Sequence, residues 1–411
     1  MLERNSEAVE YALREAREND VKFIRLWFTD ILGNIKGFAI TVEELENALT
    51  RGMSFDGSAI EGYAREDERD LYALPDPTTF NILPWRPKTN AVARMFCDIV
   101  TPDEKPFEGD PRNVLRRNLQ RASDKGYTYY VAPEIEYFYF RDEKGTDFLD
   151  SSEYFDQVTP NPGTDLRRET VLTLEELGIP VESSHHEAAP SQHEIDLRHT
   201  DALTMADTVM TYKLVVKEIA SSHGYFASFM PKPASGINGN GMHTQMSLSK
   251  GDENIFYGEN DPHRLSDTGR QFCAGLLRHA REITLVTNQW VNSYKRLEPG
   301  FEAPIYISWA KADRSDLIRV HRNPPLRTDS SENLWRPVHS VPYLRIGSST
   351  RKSSGARSTK NRNVLGALNF KNQLLVKERS DRKITGTDPR FINTSMGKST
   401  ELFSPILTPL L

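Results

Sequence analysis

The sequence predicts an α+β protein with a small mixed N-terminal domain and a larger α/β domain. The chain has 411 residues, more than one average domain holds. A proline-rich acidic stretch over 101–111 (TPDEKPFEGDP) is typical of a linker. Strand-like and helical segments alternate after it, as they do in α/β domains. We therefore expect domains over 1–104 and 105–321, followed by a divergent basic tail over 322–411.

The N-terminal domain is predicted to begin with a helix and to contain three strands. Val9, Leu13 and Ala16 recur at helical spacing among charged residues, which predicts an amphipathic helix. Alternating apolar and basic residues favour a strand. The predicted elements are a helix over 1–18, strands over 22–29, 35–40 and 91–99, and a helix opened by a Thr41–Glu44 capping box and ended by Gly52.

The second domain is predicted to begin near Asp110 and to contain no internal repeat. Its strand-like and helical segments alternate, which is the basis for the α/β prediction. The predicted segments are a strand over 127–140, a helix over 165–177, a strand over 194–198, a helix over 202–222, a strand over 244–248 and a long helix over 264–286.

Composition excludes several classes of protein. No apolar run reaches the roughly 18 residues that a membrane-spanning helix needs, so we expect no membrane association. The N-terminus is charged from its third residue and lacks the apolar core of a signal peptide. Cys97 and Cys273 are too few for a disulfide framework, which indicates a reducing cytoplasm. A net charge of −6 argues against a nucleic-acid binder.

Charge is unevenly distributed along the chain. Residues 1–321 contain 36 Lys and Arg against 52 Asp and Glu, whereas residues 322–411 contain 16 against 6. The second stretch also contains 12 serines and shows no sustained helical or strand periodicity. A basic tail of this kind usually indicates an interaction arm or disorder.

The strongest local motif is a pair of acidic residues in an aromatic strand. Glu134 and Glu136 are two residues apart, so both carboxylates project from one face while Ile135 projects from the other. Adjacent carboxylates repel each other and apolar neighbours desolvate them, which is unfavourable unless a cation lies between them. The pattern therefore indicates a metal site. A solvent-exposed strand with two acids is the alternative.

Two further motifs supply residues of the same chemistry. Glu187 and Glu194 flank a proline-containing turn and can converge on one cation. His243 follows a glycine-rich segment whose backbone a ligand can approach closely. HExxH spacing is absent and no cysteine is near, which argues against zinc. Carboxylates with one imidazole suit Mg²⁺ or Mn²⁺, and pairs of such ions are typical of phosphoryl transfer. A polar loop or a packed histidine is the alternative.

A basic cluster follows in the chain and surrounds the segment 300–304 in sequence. Arginine grips carboxylates and phosphates with two parallel hydrogen bonds. There is neither a GxxxxGK[ST] loop nor a kinase signature, so a nucleotide would be held by metal ions and arginines. A solvated basic face is the alternative. The cluster consists of Lys295, Arg296, Arg314 and Arg319.

Together these residues closely resemble class I glutamine synthetases, in particular the alpha type of bacteria and archaea. The resemblance covers almost all of residues 10–320 and is carried, in order, by FTDILGNIKG, SFDGSAIEG, PEIEYF, SHHEAAPSQHEIDL, FMPKP, NGNGMHTQMS, VNSYKRLEPGFEAP and RSDLIRV. It implies a β-grasp N-terminal domain and a glutamine-synthetase-type catalytic α/β domain. It also implies ATP-dependent ligation of ammonia to L-glutamate through γ-glutamyl phosphate. The family assembles as a homo-oligomer of two stacked hexameric rings, with active sites between neighbouring subunits.

The resemblance implies two or more Mg²⁺ or Mn²⁺ ions in each site. One ion would be bound by Glu136, Glu187 and Glu194. The other would be bound by Glu134 and His243.

The resemblance also implies roles in substrate binding and catalysis. Asp56, supplied by a neighbouring subunit, would bind ammonium and help to deprotonate it. Glu302 would lie on a flap that closes over the acyl phosphate and excludes water. The other expected contacts are the glutamate backbone with Asn238 and Gly239, its carboxylate with Arg296, the phosphoryl groups with Arg314 and Arg319, and the nucleotide with Ser247.

The sequence departs from the family after Val320. The family there carries a Glu-hydrophobic-Arg strand, whose glutamate completes the second metal site and whose arginine grips substrate. An Asn-Pro-Tyr-Leu motif and a helical C-terminus follow, and none of these is recognisable in 322–411. Gln245 also stands where many members have histidine. Loss of groups that act on charge in the transition state commonly lowers the rate by orders of magnitude.

Three functions therefore remain open. The first is a glutamine synthetase, which Asp56 and Glu302 favour because an acidic pocket binds and deprotonates a small cation. The second is a γ-glutamyl ligase for another amine or a polyamine. The third is a catalytically impaired paralogue with a regulatory or binding role, which the divergent tail favours.

A shifted reading frame from about residue 322 would explain the tail. Codons for Ser340–Arg345, read one base later, can encode Pro-Tyr-Leu-Thr-Phe followed by Ala, which resembles the run that the family places there. The nucleotide sequence tests this hypothesis. A basic tail that evolved independently is the alternative.

Overall fold

The computed structural model describes residues 6–60, 70–157, 161–310 and 315–320, and the backbone of 344–349. These residues form two compact units. The first contains the described residues up to Arg121 together with Arg168–Val181 and Leu203–Ile219, and the second contains the others. The first unit therefore includes segments that follow the predicted linker in sequence. The domain boundaries given above stay a prediction.

The first unit is built on a six-stranded sheet in which β1 is antiparallel to β2 and parallel to β6. Its strands are β1 (Val21–Thr29), β2 (Ile35–Thr41), β3 (Met53–Asp56), β4 (Asp70–Pro75), β5 (Asn81–Ile82) and β6 (Ala91–Val100). Their order is β2-β1-β6-β4-β3, with β5 beside β6. The helices are α1 (Ser6–Glu18), α2 (Leu45–Arg51) and α3 (Pro111–Ser123). Buried Ala12 and Leu45 pack in one core with Ile24, Leu26 and Met95 of the sheet.

The predicted capping box at the start of α2 is wrong. The Thr41 side chain makes no capping hydrogen bond, and a short 3-10 turn over Val42–Glu44 precedes the helix. Gly52 does end α2: its N–H donates the last helical hydrogen bond, to the Ala48 carbonyl at 2.8 Å, and its own backbone is not helical. Its φ of 74° is a conformation that glycine adopts without steric cost.

The second unit is built on a ten-stranded sheet in the order β14-β15-β16-β12-β7-β9-β8, where β10 and β11 also pair with β7, and β13 pairs with β12. The strands are β7 (Thr128–Phe140), β8 (Val181–His186), β9 (Gln192–Leu197), β10 (Thr200–Asp201), β11 (Phe226–Ser228), β12 (Gly241–Lys250), β13 (Glu253–Asn254), β14 (Tyr306–Ala310), β15 (Asp316–Val320) and β16 (Leu344–Ser349). The remaining helices of the described chain are α4 (Pro162–Glu176), α5 (Ala202–Ser222), α6 (Asp267–Arg278), α7 (Ala280–Thr287) and α8 (Val291–Arg296). Both α4 and α5 contribute residues to each unit.

The predicted long helix over 264–286 is instead two helices, α6 and α7. Ser266 caps α6, since its Oγ accepts a hydrogen bond from the Gly269 N–H at 3.1 Å. His279, with φ −99° and ψ 9°, ends α6 and precedes α7. Leu276 and Ile283 pack in one core on either side of this break. Apolar spacing therefore continues through the break, and the sequence predicts a single helix.

None of the described helices is long and apolar enough to cross a membrane. Cys97 lies in the first unit and Cys273 in the second, and both are buried free thiols. Burial raises the pKa of each thiol, so both are unreactive at neutral pH.

Candidate functional site

Three strands bring acidic residues and a histidine onto one face of the second sheet. β7 lies between β12 and β9 and pairs antiparallel with both. Glu134 lies opposite His243 on β12 and opposite Asp196 on β9, and Glu136 lies opposite Glu194. Directly opposite residues in a sheet project from the same face. Two neighbouring rows of ionisable side chains therefore form at the centre of the sheet.

These side chains line a cavity of about 180 Å³. Glu187 reaches it from the segment after β8, Arg296 from the last residue of α8, and Arg319 from β15. All of the lining residues belong to the second unit. They are Glu134, Glu136, Tyr154, His185, Glu187, Gln192, Glu194, Asp196, Asn238, Gly239, His243, Arg296, Glu302 and Arg319.

Glu136 is buried and is held in place by two donors. Its Oε2 accepts hydrogen bonds from Gln192 Nε2 at 2.9 Å and from the Gly241 N–H at 2.8 Å. Burial, together with the negative charge of Glu187, raises the pKa of Glu136 to about 7. A positive charge in the cavity would stabilise the ionised form.

Glu187 and Glu194 join Glu136 in what we call the glutamate cluster. Burial and the charge of Glu136 raise the pKa of Glu194. Burial also acts to raise the pKa of Glu187, but hydrogen bonds from His185 and the Ala188 N–H outweigh it and lower that pKa. His185 Nε2 lies 3.2 Å from Glu187 Oε1. One ligand atom from each of His185, Glu187 and Glu194 lies within 4.8 Å of the others, which is close enough to share a metal ion.

Among the described residues, no Lys or Arg side chain forms an ion pair with any carboxylate of the glutamate cluster; its ion-pair contacts are with His185 and His243, and Arg296 acts on Glu136 only through its charge in the same cavity. Like charges buried together are unfavourable without a cation. Oxygen ligands are those that Mg²⁺ and Mn²⁺ prefer. The cluster therefore fits a hard divalent cation. A second set of close ligand atoms comes from Glu134, Glu194 and Asp196.

His243 adds a neutral imidazole to this group. Its Nδ1 lies 3.5 Å from Glu134 Oε2 and 4.0 Å from Glu136 Oε1. Burial, assisted by the nearby charge of Arg319, lowers the pKa of His243 to about 4. Neutral imidazole is the form that binds metals. Gln245, two residues along β12, donates a hydrogen bond to Glu134.

The loop before β12 brings backbone groups to the cavity. Asn238 and Gly239 both line it. A Cβ atom on Gly239 would lie 2.2 Å from the Pro231 carbonyl oxygen and 2.7 Å from Arg296 Cδ. Such distances exclude a side chain, so glycine is required at this close approach.

Arg296 connects this loop to the segment that carries Glu302. The guanidinium is buried, and its Nη1 donates to the Phe301 carbonyl at 2.6 Å. Glu302 is exposed at the edge of the cavity with a φ of 53°, which is costly for a residue other than glycine. The hydrogen bond from Arg296 therefore helps to hold a strained segment beside the cavity.

Three predicted site residues do not line the cavity as described. Ser247 is buried on β12 opposite Tyr130. Asp56 is exposed at the end of β3 in the first unit, where its Oδ1 accepts a hydrogen bond from the Ser58 N–H at 2.9 Å. Arg314 falls outside the described residues. The roles assigned to the site residues from the family resemblance stay predictions.

Four lining residues were not predicted from the sequence. Asp196 follows Glu194 by two residues, so strand alternation could have found it. Gln192 precedes Glu194 by two residues for the same reason. His185 is adjacent to the predicted motif. Tyr154 comes from the irregular segment between β7 and α4, and no pattern in the sequence indicates it.

Glutamine synthetase family models match both parts of the chain. Residues 20–102 match the model described as "Glutamine synthetase, beta-Grasp domain", and residues 108–348 match "Glutamine synthetase, catalytic domain". The chain belongs to the glutamine synthetase family. Membership confirms the family and the α+β fold class that the motifs predict, and the catalytic domain confirms the prediction of an enzyme. The catalytic-domain match continues past Val320, where the resemblance of the motifs ends.

Individual glutamine synthetases are similar over most of their length. That of Mycolicibacterium smegmatis is 49% identical over 365 residues, which cover 87% of this chain and 81% of the relative. That of Methanosarcina mazei is 51% identical over 315 residues, covering 76% and 70%. A cryo-EM structure of Plasmodium falciparum glutamine synthetase aligns with a TM-score of 0.74 at 28% identity, covering 85% of this chain and 72% of that one.

Proposed function

We propose that this chain is a glutamine synthetase that ligates ammonia to L-glutamate with ATP, through γ-glutamyl phosphate. The observation that supports this most strongly is the glutamate cluster in a cavity that Arg296 and Arg319 also line. A cation at the cluster, together with two arginines, suits substrates that carry several negative charges. Glutamate and the phosphates of ATP are substrates of this kind.

The glutamate cluster is proposed to hold one Mg²⁺ or Mn²⁺ ion, and Glu134 with His243 a second. When bound, these ions supply positive charge that polarises phosphoryl oxygens. The chain keeps the ligand oxygens in place, since Gln192 and the Gly241 N–H hold Glu136. Pre-placed ligands bind a cation without a cost of reorganisation.

The second ion is expected to bind more weakly than the first. In the family resemblance, its third ligand comes from a strand that follows residue 320. β16 pairs with β15 and β12, and its register puts Gly347 opposite His243. Residues 344–349 contain no Asp or Glu. This observation favours a second candidate function, a catalytically impaired paralogue with a regulatory or binding role.

Arg296 is proposed to bind the carboxylate of glutamate. Phosphorylation then gives the side-chain carboxylate of glutamate a leaving group, and nearby positive charge stabilises the charge that develops in the transition state. The other proposed contacts are the glutamate backbone with Asn238 and Gly239, the phosphoryl groups with Arg314 and Arg319, and the nucleotide with Ser247.

Ammonium is proposed to bind between Glu302 and the Asp56 of a neighbouring subunit. The basis for this proposal is the family resemblance, in which active sites lie between neighbouring subunits. Such sharing requires a homo-oligomer, and we propose the family's two stacked hexameric rings in the cytoplasm. An active monomer in light scattering would contradict this arrangement.

The test of this function compares glutamine formed with ADP released. The full chain with Mg²⁺, ATP, glutamate and ammonium should form the two products in equal amounts. Glu136→Ala should abolish turnover, whereas the matched control Glu143→Ala, exposed in the turn after β7, should not. Faster reaction with methylamine or a polyamine would favour the other γ-glutamyl ligase. Metal binding without turnover would favour the impaired paralogue.

A further inference from the structure

A second polar cluster adjoins the glutamate cluster and consists of Asp150, His186 and His193. Their side chains are 9%, 1% and 0% exposed. His186 Nε2 lies 2.9 Å from Asp150 Oδ1, and His193 Nε2 lies 3.6 Å from Asp150 Oδ2. The two histidines immediately precede Glu187 and Glu194 in the sequence. The backbone therefore connects this cluster directly to two proposed metal ligands.

Ligand atoms of these three side chains lie close enough together to share a metal ion. The hydrogen bonds around His193 exclude that use. Arg167 Nη1 lies 2.7 Å from His193 Nδ1. A guanidinium only donates, so Nδ1 accepts and the ring proton is on Nε2, which faces Asp150 and cannot bind a metal. Within the cluster, His186 is hydrogen-bonded to Asp150, whereas His193 Nε2 and Asp150 Oδ2 are 3.6 Å apart and form no hydrogen bond.

His186 links Asp150 to the backbone of a proposed metal ligand. Its Nδ1 lies 2.7 Å from the Glu187 carbonyl oxygen, and its Nε2 lies 2.9 Å from Asp150 Oδ1. The ring is therefore held between these two oxygens. Any shift of Asp150 would thus move the start of the segment that carries Glu187.

Asp150 also holds the other end of that segment. Its Oδ1 accepts from the Ser191 N–H at 3.0 Å, and Ser191 Oγ accepts from the Asp150 N–H at 2.7 Å. Ser191 is fully buried with a φ of 58°, an unfavourable conformation that its surroundings must maintain. The next residue is Gln192, whose side chain holds Glu136. Asp150 therefore contacts His186, immediately before the turn over 187–191, and Ser191 at the end of that turn.

The geometry points to Asp150 as a positioning residue for divalent-cation binding. Through His186 and Ser191 it fixes the turn over 187–191, which carries one ligand of the proposed ion and leads to the side chain that holds another. This inference rests on the proposed function, because it requires an ion at the glutamate cluster. Groups that fix metal ligands typically change metal affinity about 10–100-fold.

The test is a titration of the full chain with Mn²⁺ alone, with free Mn²⁺ measured by electron paramagnetic resonance. Asp150→Asn keeps the shape of the side chain and removes its charge, and should weaken Mn²⁺ binding roughly 10-fold or more. Asp147→Asn is the matched control, since Asp147 lies on the same segment and its side chain is 63% exposed. The control should bind Mn²⁺ as the unmodified chain does. Equal affinities of the two variants would overturn the inference.

Kinetics separate positioning from a merely structural role. If Asp150 positions ligands, Asp150→Asn raises the Mn²⁺ concentration for half-maximal turnover, and saturating Mn²⁺ restores kcat. A loss of kcat with an unchanged half-maximal concentration would show that the residue only supports the fold. That outcome would also overturn the inference.

Two further variants distinguish failure of the inference from failure of the proposed metal site, and from failure of Asp150→Asn to fold. Glu136→Ala removes a proposed ligand itself, so unchanged Mn²⁺ binding in that variant would refute the proposed metal site, and the inference with it. If Glu136→Ala weakens binding and Asp150→Asn does not, only the inference fails. Should Asp150→Asn not fold, Ser191→Gly decides, because glycine tolerates the positive φ and removes the hydroxyl that contacts Asp150. It should weaken Mn²⁺ binding, and unchanged binding would contradict the inference.

Discussion

Each unit buries a group of three carboxylates, and the two groups differ in how their charge is balanced. In the first unit, Arg112 contacts all three carboxylates, those of Asp76, Asp98 and Asp207, at 2.7, 2.5 and 2.9 Å. Arg116 adds ion pairs to two of them. We call this group the Arg112 cluster. The glutamate cluster of the second unit has no such partner among the described Lys and Arg residues.

The pKa values within each cluster reflect burial as well as charge. In the Arg112 cluster, the charge of Arg112 and its hydrogen bonds outweigh burial at Asp76 and lower that pKa, whereas burial outweighs them at Asp207 and raises that pKa. For Glu136, burial and the charge of Glu187 act in the same direction and raise the pKa to about 7. Every carboxylate of the Arg112 cluster thus has an arginine partner within the chain, whereas the glutamate cluster forms no ion pair with a described Lys or Arg and fits a cation from outside the chain.

Removing the positive charge of Arg112 from the Arg112 cluster should have the largest effect on stability. Arg112→Met leaves buried carboxylates without their main partner and should lower the free energy of unfolding by roughly 3–5 kcal/mol. Urea denaturation measures this change. Arg117→Met, exposed on the same helix, is the control and should be close to neutral. If both variants were equally stable, the Arg112 cluster would not be the structural element described.

Neutralising one acid of the glutamate cluster, in contrast, should leave the metal-free chain as stable as before. Glu136→Gln can still accept the hydrogen bonds from Gln192 and Gly241, and it removes a like charge, so the metal-free chain should not be destabilised. Mn²⁺ affinity should fall about 100-fold or more, because a ligand matters at least as much as the groups around it. Calorimetric titration and denaturation together measure both changes. Strong destabilisation without metal would contradict the comparison.

Added Mn²⁺ should stabilise the folded chain, and it should do so by binding at the glutamate cluster. At a free Mn²⁺ concentration 10 times the dissociation constant, linkage gives about 1.4 kcal/mol of additional stability. Thermal unfolding with Mn²⁺ and with a chelator measures this gain. It should disappear in Glu136→Gln and persist in the control Glu143→Gln.

The ammonium residues should have the smallest effect, because both are exposed acids. Replacing Asp56 by Asn or Glu302 by Gln should raise the ammonium KM about fivefold, equivalent to about 1 kcal/mol, and leave the KM for ATP unchanged. Initial rates at varied ammonium measure the change, with exposed Glu46→Gln as control. An equal rise in the KM for ATP would show that these residues have another role.

Much of the candidate site could be predicted because strand alternation is local. Glu134 and Glu136 share a face by spacing alone, and the ordered motifs of the family identified the other acids. The register that puts Glu134 opposite both His243 and Asp196 is a tertiary property, which spacing within one strand cannot show. The part played by Asp150 was missed for the same reason, since the turn that it holds begins more than thirty residues later in the sequence.

Helices and strands were predicted well where apolar periodicity is continuous. They were predicted less well where a single residue determines where a helix begins or ends. The strand Val21–Thr29 and helix Ala202–Ser222 have the predicted positions. The prediction was wrong after Thr41, where a 3-10 turn precedes the helix, and at His279, where a helix breaks. Neither feature changes the spacing of apolar residues, so the sequence pattern did not reveal it. The hypothesis of a shifted reading frame after residue 322 stays a prediction, and a coding sequence whose offset frame lacks a Glu-x-Arg strand would refute it.

The most direct test of the difference between the two clusters is a crystal structure with Mn²⁺ and its anomalous difference map. We expect a peak within roughly 2.5 Å of carboxylate oxygens of Glu136, Glu187 and Glu194, and none at the Arg112 cluster. A glutamate cluster without a peak at saturating Mn²⁺, or with a Lys or Arg side chain from elsewhere in the chain bound to its carboxylates, would contradict the account.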